Sequence, residues 1–212
     1  MEQFQTEEQQ VEAIKQFWKE NGTVLVGGFA AGLAAFVGFN FYKDSKLESE
    51  MAASDRFQTV VELAEADKAQ FLQQGDKFIQ ENGDSSYAAL TALALAKDAA
   101  DEKAWDKVAG HLQTAIDKAP SAEIKAIATI RLARVQVQQN ELEKALSTLS
   151  AQLPNAFNAT VEEIKGDIYV MQDKKALARN AYQAAIDADA SSSNPSLQMK
   201  LDDLTEAVNL TK

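Results

Sequence analysis

The feature that most limits how this chain can fold is an uncharged stretch near its start, residues 23–42, with the sequence TVLVGGFAAGLAAFVGFNFY. No charged side chain occurs between Glu20 and Lys43. At ~1.5 Å rise per residue, a helix of this length spans about 30 Å, the thickness of a bilayer's hydrocarbon core. Because hydrocarbon offers the backbone no hydrogen-bond partners, a lone segment of this kind is expected to be helical. The sequence therefore predicts a transmembrane helix over residues 23–42, in contact with the lipid bilayer.

Aromatic and lysine side chains flank this segment, as is typical of a membrane–water interface. They are Phe17, Trp18, Phe41, Tyr42, Lys15, Lys19, Lys43 and Lys46. A buried helix of a soluble domain would show a shorter apolar run and a polar face. A cleaved signal peptide would have a basic start and an apolar region of ~7–15 residues before small residues. Since the start of this chain is acidic and the run is longer, we interpret it as an uncleaved anchor that follows a short N-terminal segment, residues 1–22.

Within the anchor, Gly28 and Gly32 form a G-x-x-x-G pattern. Small residues one turn apart let a second helix approach closely, so this pair is a candidate site of transmembrane helix packing. The alternative that glycine is simply frequent in membrane helices stays open.

The charge of the chain argues against nucleic acid as a partner. The sequence has 21 basic and 32 acidic residues, a formal net charge of −11, and no basic cluster stands out. Phosphate binding depends on clustered lysine and arginine. The chain has no cysteine and one histidine, which excludes disulfides, thiolate catalysis and a histidine-rich metal site within one chain.

After residue 43 the sequence indicates an all-α protein. Proline occurs three times in the chain, good helix formers dominate, and no stretch alternates with period two for long enough to indicate a strand. Residues 43–86 are predicted to form membrane-proximal helices, for which a degenerate repeat unit is an open alternative. The turn that ends this segment is predicted at Asn82-Gly83-Asp84, followed by a helix capped by Ser85 or Ser86.

Residues 87–212 are predicted to form tetratricopeptide-like repeats, each a pair of antiparallel helices of ~34 residues in all. The register places a small residue at the eighth position, where the two helices cross: Ala96, Ala133 and Gly166, spaced by 37 and 33 residues. Further matches are Val108, Leu112, Ala115, Ile116 and Pro120, then Leu132, Ala145 and Leu149, then Tyr169, Ala178, Tyr182, Ala185 and Ile186. The links fall at Glu102-Lys103, Asn140-Glu141 and Asp173-Lys174. Residues 197–210 are predicted to form a capping helix after a break at residues 191–195; an ordinary antiparallel helical bundle remains the competing fold.

Stacked helix pairs create an extended concave surface that suits an interaction module. In this register, residues on the first helix of each unit face this concave surface and form a candidate partner-binding groove. The candidate residues are Leu93, Lys97, Ile130, Arg134, Val137, Asp167, Val170 and Met171. Replacing Arg134 and Asp167 by alanine is expected to weaken partner capture and to leave thermal unfolding nearly unchanged.

The chain resembles the family of ancillary subunits of the bacterial SecYEG translocon, the YfgM type. The resemblance is carried by VEAIKQFWKENG (residues 11–22), the single membrane helix, residues 87–96 and a repeat with RLARVQVQ (residues 131–138). It implies a single-pass inner-membrane protein with a cytoplasmic N-terminal segment and the repeats in the periplasm. The partners it implies are SecYEG, the membrane-anchored periplasmic prolyl isomerase PpiD and a stress-response regulator.

The motif search predicts no enzyme, no catalytic residue, no cofactor and no metal site. His111 is either a polar surface residue or a pH-sensitive contact. We therefore predict a docking module at the translocon and its periplasmic chaperones; a cytoplasm-facing adaptor that sequesters a regulator is the first alternative, and an anchored hydrolase the second. Lys15 and Lys19 precede the span, and Lys43, Lys46 and Arg56 follow it, so the positive-inside rule slightly favours the reverse orientation.

Overall fold

The structure is a computed structural model that describes residues 7–189 and 194–209. The chain divides into two compact units, Met1–Met51 and Ala52–Lys212. Over the described ranges the secondary structure is helical: α1 (Glu7–Ala66), α2 (Lys68–Glu81), α3 (Ser86–Asp101), α4 (Trp105–Asp117), α5 (Ala122–Gln138), α6 (Leu142–Thr148), a 3₁₀ turn (Asn155–Phe157), α7 (Asn158–Met171), α8 (Lys175–Ala188) and α9 (Pro195–Asn209).

In the first unit, the large apolar side chains of α1 between residues 24 and 42 are exposed. Val24 and Phe29 are 74% and 71% exposed. Gln9–Ala66 is the one helix, among the described residues, that is long and apolar enough to cross a membrane. A helix without a polar face suits lipid on every side. The predicted span of residues 23–42 thus lies inside a much longer helix.

α1 continues without a break well past the apolar segment. The residues that follow Tyr42 include neither proline nor glycine up to Ala66, and they are mostly good helix formers. The proposed boundaries at residues 22 and 42 therefore fall inside α1 and reflect only a change in composition. The boundary at residue 86 coincides with the start of α3, after the turn at residues 82–84. These domain boundaries remain predictions.

The second unit begins with the last turns of α1 and with α2. Their shared core contains Ala53, Val60, Phe71 and Phe78, with Leu95 from α3. The carboxylate of the residue before α2 caps that helix: Asp67 accepts a hydrogen bond from the backbone N–H of Gln70 at 3.0 Å. Ser85 occupies the predicted cap position before α3, but its hydroxyl makes no capping bond.

Three helical hairpins follow, α3–α4, α5–α6 and α7–α8, and they confirm the tetratricopeptide-like architecture. The predicted crossing residues Ala96, Ala133 and Gly166 are all buried. So are their counterparts on the second helices, Val108, Ala145 and Ala178, and the residues four positions further on, Leu112, Leu149 and Tyr182. A Cβ added to Gly166 would overlap the ring of Tyr182. Small residues at these points let the two helices of each unit touch.

The three turns inside the hairpins share one backbone motif. Lys103, Asn140 and Asp173 have positive φ angles of 58°, 61° and 55°. After α3, the N–H of Lys103 donates to the carbonyl of Ala100 and the N–H of Ala104 to that of Ala99. These are the two bonds of a Schellman motif, and both recur after α5 and α7. The left-handed residues are 37 and 33 residues apart, the spacing of the crossing residues, so the repeat is structural as well as compositional.

Polar bonds connect successive hairpins at equivalent places. The Gln139 amide donates to Asp106 at 2.8 Å, and the Gln172 amide donates to Glu143 at 3.0 Å. In each case the end of a first helix bonds to the start of the previous unit's second helix. The hairpins are therefore stacked in order along the chain, as in a solenoid.

The second hairpin departs from the others because α6 is short. It has 7 residues, whereas α4 has 13 and α8 has 14. Leu153 and Phe157, from the segment that ends in the 3₁₀ turn, pack against the hydrophobic core there and replace the missing turns.

α9 closes the solenoid, as predicted. Leu197 and Leu204 pack against Ala178, Tyr182 and Ala185 of α8. The helix starts at Pro195, two residues before the predicted start. The predicted break at residues 191–193 and the predicted end at Leu210 lie outside the described residues.

Candidate partner-binding groove

The groove residues predicted on the first helices differ in how much surface they offer. Lys97 and Arg134 are exposed, and Val170 and Met171 are 43% and 53% exposed. Leu93, Val137 and Asp167 are half-buried, and Ile130 is buried. All lie on α3, α5 or α7, which are the first helices of the three hairpins.

Ile130 belongs to the core and not to the groove surface. It is 5% exposed and packs in one cluster with Ala133, Leu149 and Ile168, against which Val137 also packs. The reason is its packing against α7 through Ile168, since Leu93, at the same position in the first unit, stays half-buried. Ile130 therefore supports the groove and offers a partner no contact area.

Asp167 is already engaged by the chain itself. It accepts a hydrogen bond from the Tyr182 hydroxyl at 2.8 Å, and Lys200 Nζ donates to its two carboxylate oxygens at 2.8 and 3.1 Å. Lys200 also donates to Glu163 at 2.8 Å. Replacing Asp167 by alanine would thus loosen α9 from α7, so the expectation that such a variant unfolds normally applies to Arg134 and not to Asp167.

The same cluster changes the acidity of its members. Burial, and then the Asp167 carboxylate, raises the pKa of the Tyr182 phenol above its usual value. Burial lowers the pKa of the Lys200 ammonium, but the hydrogen bonds to Asp167 and Glu163 outweigh it, and the net pKa is raised. Lys200 therefore remains charged across the physiological range and pins α9 to α7.

Sequence reasoning missed Glu163 and Lys200, although the repeat contained the signal. Lys200 lies 33 residues after Asp167, which is the spacing between the second and third crossing residues. α9 therefore continues the series of first helices, and its lysine is the next member of the row Lys97, Arg134, Asp167. The apolar pattern of residues 197–210 predicts only a capping helix and therefore gives no sign that the row continues past the third unit.

Lys97 and Arg134 have no such internal partner. Among the described residues, no carboxylate oxygen lies within 4.0 Å of the side-chain nitrogens of either residue. Of the acidic residues near Lys97, Asp98 pairs with Lys68 at 3.1 Å, and Asp101, one turn further along α3, does not reach the Lys97 ammonium. The groove thus carries two cations that form no ion pair with any described residue.

The other predicted features belong to other elements of the chain. His111 on α4 is half-buried, and burial lowers the pKa of its imidazole, with Asp76 opposing the shift and Lys107 adding to it. No atom lies within 4 Å of a Cβ added at Gly28 or Gly32, so the glycine face of the anchor is open. No group of three metal-binding side chains occurs within residues 7–189 and 194–209.

A concavity of about 540 Å³ lies between the end of α1 and α2. Val60, Leu63 and Phe78 form its apolar floor, and Arg56, Lys77 and Glu81 lie at its rim. Arg56 and Lys77 both approach Glu81, at 3.8 and 3.9 Å. Both of these cations therefore have a carboxylate partner within the chain, in contrast to Lys97 and Arg134.

Comparison with known proteins gives a consistent set of relatives. A family model described as a tetratricopeptide repeat-like domain matches residues 15–206. The ancillary SecYEG translocon subunit of Escherichia coli is 32% identical over 206 residues, which is 97% of this chain and 100% of that protein. The proteins of the same name from Haemophilus influenzae and Neisseria gonorrhoeae are each 28% identical over 93% of this chain and 97% of their own length. The similarity therefore extends through the anchor and the repeats alike.

Proposed function

The chain belongs to the tetratricopeptide repeat-like family that includes the ancillary SecYEG translocon subunits, and we therefore propose that it associates with SecYEG as a membrane-anchored interaction module without catalytic activity. The observation that carries this proposal is the full-length similarity to relatives that bear that name, which covers anchor and solenoid together. In this function the anchor keeps the repeats at the inner membrane, and the first-helix groove receives partners.

The test is copurification from native membranes. The full chain, with an affinity tag after Lys212, is solubilised in a mild non-ionic detergent, captured, and assayed for SecY, SecE and SecG. We expect all three to be enriched over a capture with a tagged single-span membrane protein of unrelated sequence and similar abundance. Equal recovery in the two captures would refute the proposed association.

We further propose that the repeats lie in the periplasm and connect the translocon to chaperones such as the prolyl isomerase PpiD. The support for this proposal is the family resemblance. In the same capture, PpiD should be recovered with the full chain, and recovery should fall when the exposed groove residues Lys97 and Arg134 are replaced by glutamine. Recovery of SecYEG without PpiD would limit the function to the translocon.

A cytoplasm-facing adaptor that sequesters a stress-response regulator is the second candidate function. The distribution of positive charge favours it: Lys43, Lys46 and Arg56 follow the span, whereas Lys15 and Lys19 precede it. A regulator could reach the groove only if the repeats faced the cytoplasm, so the side of the membrane on which the repeats lie separates the two functions.

A further inference from the structure

The first helices carry one row of charged residues along the groove. Lys97, Arg134, Asp167 and Lys200 occupy equivalent positions on α3, α5, α7 and α9, spaced by 37, 33 and 33 residues. The last two are in contact, since Lys200 Nζ lies 2.8 Å from an Asp167 oxygen. Side chains at this position on neighbouring first helices can therefore reach the same ligand group.

The acidic member of the row is neutralised from within the chain, and the two basic members are not. Asp167 accepts bonds from Lys200 and Tyr182. Lys97 and Arg134 are exposed, and their nitrogens lie within 4.0 Å of no carboxylate among the described residues. α9 thus closes the part of the groove that would attract a basic segment, and the part that stays open attracts negative charge.

Apolar surface adjoins the two cations. Leu93 lies one turn before Lys97, and Val137 lies three residues after Arg134; both are half-buried. At the end of the next first helix Val170 is 43% exposed. An occupant that matches this surface carries carboxylates beside apolar side chains, because each lone cation gains a charge-assisted hydrogen bond while the apolar atoms leave water.

Two cations on neighbouring helices lie within reach of one short protein segment. Neighbouring packed helices lie about 8–10 Å apart. In an extended segment, residues two positions apart lie on the same face and are separated by about 7 Å, so two acidic side chains at that spacing can face Lys97 and Arg134 together.

From this geometry we propose that the groove binds an acidic protein segment, with side-chain carboxylates on Lys97 and Arg134 and an apolar neighbour on Leu93 and Val137. The proposal rests on the proposed function as an interaction module and adds the chemistry of the partner that the groove accepts. The segment belongs to a protein partner, and the ligand groups are side-chain carboxylates and not a chain's C-terminal carboxylate.

Titration calorimetry on the full chain in neutral detergent micelles tests this assignment. The probe is a short synthetic peptide with two glutamates separated by one alanine and flanked by leucines, acetylated and amidated so that it has no terminal charge. The comparison peptide has glutamine at both acidic positions. We expect the glutamate peptide to bind, and its Kd to rise by about tenfold or more when both glutamates are replaced, since tenfold corresponds to ~1.4 kcal/mol.

Variants of the protein assign the binding to the two cations. The double variant Lys97→Gln, Arg134→Gln should weaken binding of the glutamate peptide to the same extent. Lys107→Gln, at an exposed lysine of α4, should leave it unchanged. The variant Lys97→Glu, Arg134→Glu should instead prefer a peptide with lysine at both positions. Thermal unfolding of each variant, followed by circular dichroism, checks that the repeats remain folded.

Three results would overturn the assignment: no binding of the glutamate peptide, equal binding of the glutamine peptide, or unchanged binding by a folded double variant. Copurification with SecYEG separates this failure from that of the proposed function. If the chain captures SecYEG but binds the glutamate and glutamine peptides equally, the proposed function stands and the acidic-segment proposal fails. If the chain captures no SecYEG, the proposed function fails, whichever peptide binds.

Discussion

At the scale of single residues, Gly166 shows how the close approach of two helices restricts a position. It lies where α7 crosses α8, and a Cβ there would overlap the Tyr182 ring. That ring cannot move away easily, because Tyr182 is 3% exposed and its hydroxyl is bonded to Asp167. Glycine is therefore needed here for space, and its φ angle is not positive.

We expect Gly166→Ala to lower the free energy of unfolding by about 1–2 kcal/mol. Overpacking costs about 1–3 kcal/mol, and the gain in helix propensity returns up to ~1 kcal/mol. The measurement is the thermal midpoint of the full chain by circular dichroism, where ~1 kcal/mol corresponds to roughly 2–4 °C in a chain of this size.

Gly110 provides the matched control for this variant. It lies inside α4, is exposed, and has no atom within 4 Å of an added Cβ. Gly110→Ala should raise the midpoint, because only the helix propensity changes. A rise for both alanine variants would show that the crossing of α7 and α8 has spare room.

At this scale the sequence predicted the positions where a helix crossing requires a small side chain, and it missed the positions whose contacts come from a neighbouring element. Ala133 and Gly166 could be predicted because a helix crossing requires a small residue at a fixed position in the unit. The burial of Ile130 depends on how closely α5 and α7 pack, which no local pattern contains. The engagement of Asp167 depends on a lysine 33 residues away.

At the scale of elements, α9 is the helix whose observed role differs most from the role predicted from the sequence. Its leucines were predictable as a capping stripe, and Leu197 and Leu204 are buried against α8. Its lysine makes it more than a cap, because Lys200 bonds to Glu163 and Asp167 on α7 and lies 5.7 Å from the centre of the Tyr182 ring. The helix therefore occupies the place of a fourth first helix.

Removing the charge of Lys200 should weaken the attachment of α9. We expect Lys200→Gln to lower the free energy of unfolding by about 1 kcal/mol, the upper range for exposed ion pairs, because two carboxylates lose one shared cation. Lys175→Gln is the control, since that lysine is exposed and reaches Asp173 only at 4.0 Å. Equal midpoints for Lys200→Gln and the parent chain would show that the leucines alone hold α9.

The pH dependence of this difference has a defined sign. The folded-state pKa of Lys200 is raised above the usual value of 10.5, so its contribution is complete below that pH and is lost as the pH rises through the folded-state value. The difference between the parent chain and Lys200→Gln should therefore be constant near neutrality and disappear in strong alkali.

At the scale of the whole molecule, sequence periodicity and hydropathy were sufficient for the architecture. An apolar helix and a repeat each leave a signal that extends over many residues, and both were present. The side of the membrane leaves only a weak signal, because it depends on a few lysines whose count favours the orientation opposite to that of the proposed function.

The orientation of the repeats is the most direct test of a docking module on the export side of the inner membrane. Since the chain has no cysteine, Ala151→Cys introduces a single thiol at an exposed position between α6 and the 3₁₀ turn. Gln10→Cys, exposed before the span, is the reciprocal control. Intact spheroplasts are treated with a membrane-impermeant maleimide, and a second sample is treated after lysis. We expect Ala151→Cys to be labelled before lysis and Gln10→Cys only after it. The reverse pattern would contradict a periplasmic location of the repeats and favour the cytoplasm-facing adaptor.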